Sequence, residues 1–147
     1  MTKHDKVRVL ALAVLEHEGH VFVSEGYDHV KRETFYRPLG GRIEFGEYGA
    51  QAVVREFLEE LGQRLMDVQY LGLCENIFVY EGQPGHEVVL LYRARFADAA
   101  LYDLTRTLEA RDGERLLGIA SWQPLARFQR GEARLYPTGL LALLGLG

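Results

Sequence analysis

The residues best able to do chemistry stand between positions 55 and 60. Glu56, Glu59 and Glu60 follow Arg55 at spacings of i, i+3 and i+4, which on a helix sets three carboxylates on one face. Carboxylates held that close repel. At about 5 Å and an effective dielectric near 20, each pair costs on the order of 3 kcal/mol before relaxation. A solvated face lets such charges spread, and a Glu-rich surface helix is a common feature. A cleft must instead protonate one acid or take up a hard divalent cation. With no cysteine and no histidine pair close by, the oxygen donor set favours Mg²⁺ or Mn²⁺ over zinc. Upstream, Gly40-Gly41 reads as a turn that brings bare backbone near the same face, where a carbonyl can ligate or an amide can meet a phosphate oxygen. The combination suits a metal site that receives phosphate.

Positioning those groups requires a helix and a scaffold. Apolar residues at 50, 53, 54, 57, 58 and 61 recur at helical spacing, predicting a helix over 49–61 that Gly62 stops. Positions 50, 53, 57 and 61 lie largely on a different face from the glutamates and can anchor the helix in a core. Residues 7–15 read as a buried strand, 20–24 as a second and 34–37 as a short one ended by Pro38, with 25–33 as a loop. Two long strands, 68–80 and 86–96, are joined by the loop Glu81-Gly82-Gln83-Pro84-Gly85. Residues 97–113 read as a surface excursion, 116–122 as a strand, 124–129 as a short helix and 137–144 as a closing apolar helix. Strands alternating with helices around a sheet indicate an α+β or α/β sandwich. No repeat or linker divides the chain, so one domain over 1–147 is expected.

Composition narrows the function classes. Of 147 residues, 48% are hydrophobic and 26% charged, which is incompatible with general disorder. Seventeen Lys+Arg against twenty-one Asp+Glu leave a net charge of −4 without a basic stripe, so no nucleic-acid partner is expected. Cys74 stands alone, which excludes an intramolecular disulfide and a cysteine-based zinc site. Lys3, Lys6 and Arg8 precede a short apolar run, Val9 to Leu15, that meets Glu16 directly and makes a marginal signal peptide. The run 140–147 is too short to span a bilayer, so a cytoplasmic protein with no membrane partner is expected.

Gly41, five residues, Glu47, seven residues, then Arg55-Glu56-Phe57-Leu58-Glu59-Glu60-Leu61-Gly62-Gln63 resembles the Nudix box, G-x5-E-x7-R-E-U-x-E-E-x-G-U. All seven fixed letters match. Phe57 stands at the first U, and Gln63 departs from the second, a change that bears on local packing more than on chemistry. The resemblance implies an α/β fold, a Nudix-like α/β/α sandwich with a mixed central sheet. It also implies Mg²⁺-dependent hydrolysis of the pyrophosphate linkage of a nucleoside diphosphate derivative: a nucleotide sugar or ADP-ribose, a nucleoside triphosphate, or a dinucleoside polyphosphate. By position, Glu56, Glu59 and Glu60 are the implied metal-ligating carboxylates and the Gly40 carbonyl a further ligand. Arg55 orients a helix glutamate through an ion pair, and Glu47, with Glu44 in a similar role, supports the loop. The general base is a box glutamate or, on a distant loop, Glu109 or Glu114. A homodimer is compatible with the resemblance.

Substrate contacts are sought among Arg37, Tyr36, Glu87 and Glu114. Tyr27, Phe35, Tyr36, Phe45 and Tyr48 bracket the box and can stack a base, but Phe35 and Tyr36 point to opposite sides of their strand, so at most one faces a given pocket. Glu75-Asn76 interrupts an apolar strand and His86-Glu87 opens the next, with Glu75 and Glu87 on opposite faces of a tight hairpin. The alternative function is a non-catalytic Nudix-like nucleotide-binding or regulatory module, which has no need of every box carboxylate. An allylic-diphosphate isomerase needs a positioned cysteine, and Cys74 lies far from the box. RNA decapping is disfavoured by the missing basic patch.

Overall fold

A computed structural model describes residues 5–147. Its centre is strand β1 (Val7–Val14), apolar on both faces because it is covered on both. Ala11, Ala13 and the following Leu15 enter one core, while Leu12 and Val14 enter another. Strand β1 pairs antiparallel with β5 (Leu39–Arg42) and parallel with β7 (Gln83–Phe96), and β7 pairs antiparallel with β6 (Leu65–Tyr80). The resulting order β5-β1-β7-β6 is a mixed sheet.

A second sheet runs β10 (Arg134–Leu135), β4 (Glu33–Arg37), β3 (His20–Asp28), β9 (Arg115–Pro124), β8 (Thr107–Asp112), with β2 (Glu16–His17) added to β3. Helix α1 (Gly49–Leu61) closes the first core, burying Ala52, Val53 and Phe57 against Phe22, Phe96 and Trp122. Helices α2 (Leu125–Gln129) and α3 (Leu140–Leu143) supply Leu125, Phe128 and Leu140 to the second core. Helices on both sides of the strands give the α/β sandwich implied by the box. Among the described residues no helix is long and apolar enough to cross a membrane. Of the basic residues before β1, Lys3 lies outside the described residues.

Four elements differ from the sequence reading. Strand β3 continues to Asp28, so the loop shrinks to a tight turn whose form is set by the Asp28 carboxylate accepting from the Val30 and Lys31 amides at 2.9 Å. Gly40-Gly41 is not a turn but the middle of β5, paired with Leu12 and Ala11. The β6–β7 hairpin turns through Glu81-Gly82 alone, both at positive φ, and Pro84 and Gly85 belong to β7. Most of the expected excursion after 97 is strand β8, hydrogen-bonded to β9. The stop of α1 is as expected: Gly62 is left-handed and its amide donates to the Leu58 carbonyl at 3.1 Å.

Candidate active site

The acidic face of α1 is organised by Arg55. Its Nε and Nη2 donate to the two carboxylate oxygens of Glu47, at 2.8 and 3.0 Å, and Nη2 also reaches the Arg42 carbonyl at 3.1 Å. Its Nη1 donates to Glu56 at 2.9 Å and to Glu59 at 3.1 Å, with Glu44 at 3.7 Å. A planar guanidinium can serve this many acceptors at once, which a lysine cannot. The Arg55 bonds hold the Glu47 carboxyl below the usual carboxylate range, helped by the Glu44 amide, and Glu47 in turn raises the pKa of Arg55. Gln51 accepts from the Tyr48 amide at 2.8 Å and fixes the start of the helix without a serine or threonine cap.

Glu60 stands apart from this ion-pair network. Burial, followed by hydrogen bonding with Glu56 and repulsion from Glu56, Asp112 and Glu59, pushes its pKa up to about 8. A groove of about 420 Å³ is lined by Glu56, Glu59, Glu60, Arg111, Asp112 and Gly113. Among the described residues no three acids or histidines are set to grip one ion. Arg55 draws Glu56 and Glu59 toward itself, and Glu56 and Glu60 share a hydrogen bond. The donor set nevertheless fits a hard divalent cation: it is all oxygen and clustered, and burial together with neighbouring acids disfavours the charged form of Glu60 while no cation is bound. Gly41 is the floor of this cluster, since a β-carbon there would lie 2.5 Å from the Glu56 carboxyl carbon. Gly40 packs on the Ala11 carbonyl with φ of 151°.

A second cavity of about 370 Å³ shares Glu60 with the groove and is also lined by Gly40, Gly41, Arg37 and Glu87. That cavity in turn shares Arg8, Ser24, Arg37, Glu87 and Leu117 with a third, of about 380 Å³, in the split between the two sheets. Arg37 and Glu87, both sought as substrate contacts, meet here, with Arg37 Nη2 donating to Glu87 at 3.4 Å.

Two other sought residues lie elsewhere. Tyr36 is buried in the second core beside Phe128, its hydroxyl donating to Glu25 at 2.9 Å, and it is the neighbouring Phe35 that lines the cavity. Glu114 sits in the β8–β9 turn, exposed, its carbonyl accepting from Arg111. Glu109 is an exposed partner of Arg111. The acid that does reach the cluster is Asp112, which the sequence reading passed over. Its only signal was its place before the Gly113 turn, and the hairpin register decides which acid faces α1. His86 and Glu87 follow the turn closely, but Glu87 is buried and faces Asn76 across the ladder, with Glu75 on the opposite face.

The sequence profile of the NUDIX domain matches residues 4–142. Solved structures with this fold include the E. coli ORF135 protein, 19% identical with a TM-score of 0.61 over 98% of this chain and 91% of that one. A MutT NUDIX hydrolase from Burkholderia pseudomallei is 18% identical with a TM-score of 0.63 over 97% and 98% of the two chains. A NUDIX hydrolase from Nitrosomonas europaea is 18% identical with a TM-score of 0.58, covering 95% of this chain and 87% of that one. At these identities the likeness is one of fold.

Proposed function

The chain belongs to the Nudix family of pyrophosphate-cleaving hydrolases, and from that premise we propose that it is a Mg²⁺-dependent enzyme acting on a nucleoside diphosphate derivative, with its chemistry on the acidic face of α1. The observation that carries this reading is the adjacency of three cavities, from the carboxylate groove, past one lined by Gly40 and Gly41, to one lined by Phe35 and Arg37. Phosphates lie in the first part and the base in the last.

Glu56, Glu59 and Glu60 hold the cations, and the Gly40 carbonyl completes the set. When bound, these ions neutralise phosphate oxygens and lower the pKa of the attacking water. Arg55 aims Glu56 and Glu59, and Glu47 fixes Arg55. A box glutamate takes the water's proton, with Asp112 setting the charge around Glu60. Arg37 and Phe35 orient the nucleoside.

The test is a panel of nucleotide sugars, ADP-ribose, nucleoside triphosphates and dinucleoside polyphosphates with Mg²⁺, read by the mass of the released nucleotide. Glu59→Gln and Glu60→Gln remove charge but little volume, so both should fold and lose most turnover. Full turnover by both variants overturns the assignment.

A further inference from the structure

From the walls of the cavity between the sheets we infer that the site selects a guanine nucleotide, an inference that rests on the Nudix reading for the fate of the phosphates but not for the base. The key observation is Asn76. It is 5% exposed and its side-chain amide bonds to no described residue. Among the described residues no fully sealed polar side-chain atom lacks a partner, so the accessible part of this amide opens on the cavity that Asn76 lines. A buried amide without a partner is a cost that a ligand can relieve.

Directly across the β6–β7 ladder stands Glu87, itself 6% exposed and lining the same cavity. Arg37 occupies one of its oxygens at 3.4 Å, and a carboxylate has about four lone-pair sites, so acceptor capacity remains. The wall therefore offers donors, from Asn76 and Arg37, beside the two acceptor oxygens of Glu87.

One base serves both oxygens of Glu87 at once. Guanine presents O6 as acceptor, then N1–H and the N2 amino group as adjacent donors. Hypoxanthine lacks the last donor. Adenine offers the carboxylate N6–H beside the N1 lone pair, cytosine N4–H beside N3, and uracil N3–H between two carbonyls, so none of them serves both oxygens at once. Discrimination is strong where a mismatched ligand leaves buried polar groups unpaired. Phe35 supplies a ring for stacking: it lies over Gly26, where a β-carbon would be 2.5 Å from it, and meets Tyr80 and Tyr136 edge-on with centroids at 5.7 and 5.8 Å. The cavity is lined by three basic and four acidic side chains, a balance that suits an uncharged heterocycle better than a second phosphate.

The experiment measures binding of GMP, IMP, AMP, CMP and UMP to the full chain by calorimetry with Mg²⁺ present, alongside hydrolysis of the five matching triphosphates. GMP should bind tightest, IMP about tenfold weaker and the other three at least about 100-fold weaker. Glu87→Gln should weaken GMP about 100-fold while changing AMP less than threefold, and Asn76→Ala should weaken GMP about tenfold, with thermal unfolding confirming that each is folded. Equal affinity for all five, or preference for adenine or a pyrimidine, overturns the inference whether or not the variants fold. Hydrolysis without base preference overturns it while leaving the Nudix activity intact. Guanine-selective binding with no hydrolysis of any triphosphate upholds it, and absence of turnover across the whole panel of nucleotide sugars, ADP-ribose and dinucleoside polyphosphates as well then overturns the activity instead.

Discussion

Gly41 and Glu56 are in direct contact across the β5–α1 junction, with room for no β-carbon between the strand and the carboxyl group. The neighbouring Gly40 is tight for a different reason, because its missing side chain would strike the backbone carbonyl of Ala11 in β1. The two glycines therefore separate by experiment. Gly41→Ala displaces the end of a flexible side chain, so the protein should fold normally and lose roughly 100-fold in kcat/KM, as expected for misplacing a site group by about 1 Å. Gly40→Ala cannot be relieved by a rotamer and should destabilise by about 1–3 kcal/mol. Urea unfolding and steady-state kinetics on the pair check both halves.

Arg55 joins Glu47, Glu56 and Glu59 through planar, multi-dentate contacts. Arg55→Lys keeps the charge but reaches at most part of this set. The expected outcome is a loss of roughly 100-fold in kcat/KM, with the dependence on Mg²⁺ concentration moved to higher values because Glu56 and Glu59, the proposed ligands, are no longer aimed. An unchanged Mg²⁺ midpoint would contradict the positioning role.

Glu60 links stability to pH. Its ordinary carboxylate value is 4.5 and its value in the metal-free fold is about 8, so the folded chain keeps a proton that the unfolded chain releases. The contribution is present below pH 4.5 and is lost as pH rises toward 8. With EDTA present, the melting temperature should fall across that window more steeply for the native protein than for Glu60→Gln. Conversely, Mg²⁺ added near neutral pH should release protons from the native protein, and titration calorimetry in buffers of different ionisation enthalpy reads the release directly.

Phe35 and Tyr36 are adjacent in sequence but serve different parts of the molecule. Phe35→Ala removes the stacking ring, and KM should rise about tenfold with stability little changed. Tyr36→Phe removes the hydroxyl bond to Glu25, and should cost about 1 kcal/mol with KM unchanged. The reverse pattern in the two variants would mean that the base docks on the other face of β4.

Much of this protein is legible in its sequence. The helix over 49–61 follows from apolar spacing and Gly62, both local properties of the chain. The match of Arg55, Glu56, Glu59 and Glu60 to fixed box positions points to the family because those residues lie within one helix. The parts that were misread are non-local. Gly40-Gly41 looks like a turn because glycine pairs mark turns, but here the positive φ of Gly40 and the missing β-carbons of both serve close packing of β5 on β1 and on Glu56.

Sequence alone thus determined the helix, its acidic face and the hydrolytic class, since each depends on spacing within a short segment. Tertiary structure alone decided that Asp112 rather than Glu109 or Glu114 meets Glu60, that Phe35 rather than Tyr36 faces the cavity, and that Asn76 stands opposite Glu87. Strand register makes each of those choices, and a shift of one residue reverses every side chain on a strand. Register is set by turns and by pairing between distant segments, which no single stretch of the chain contains.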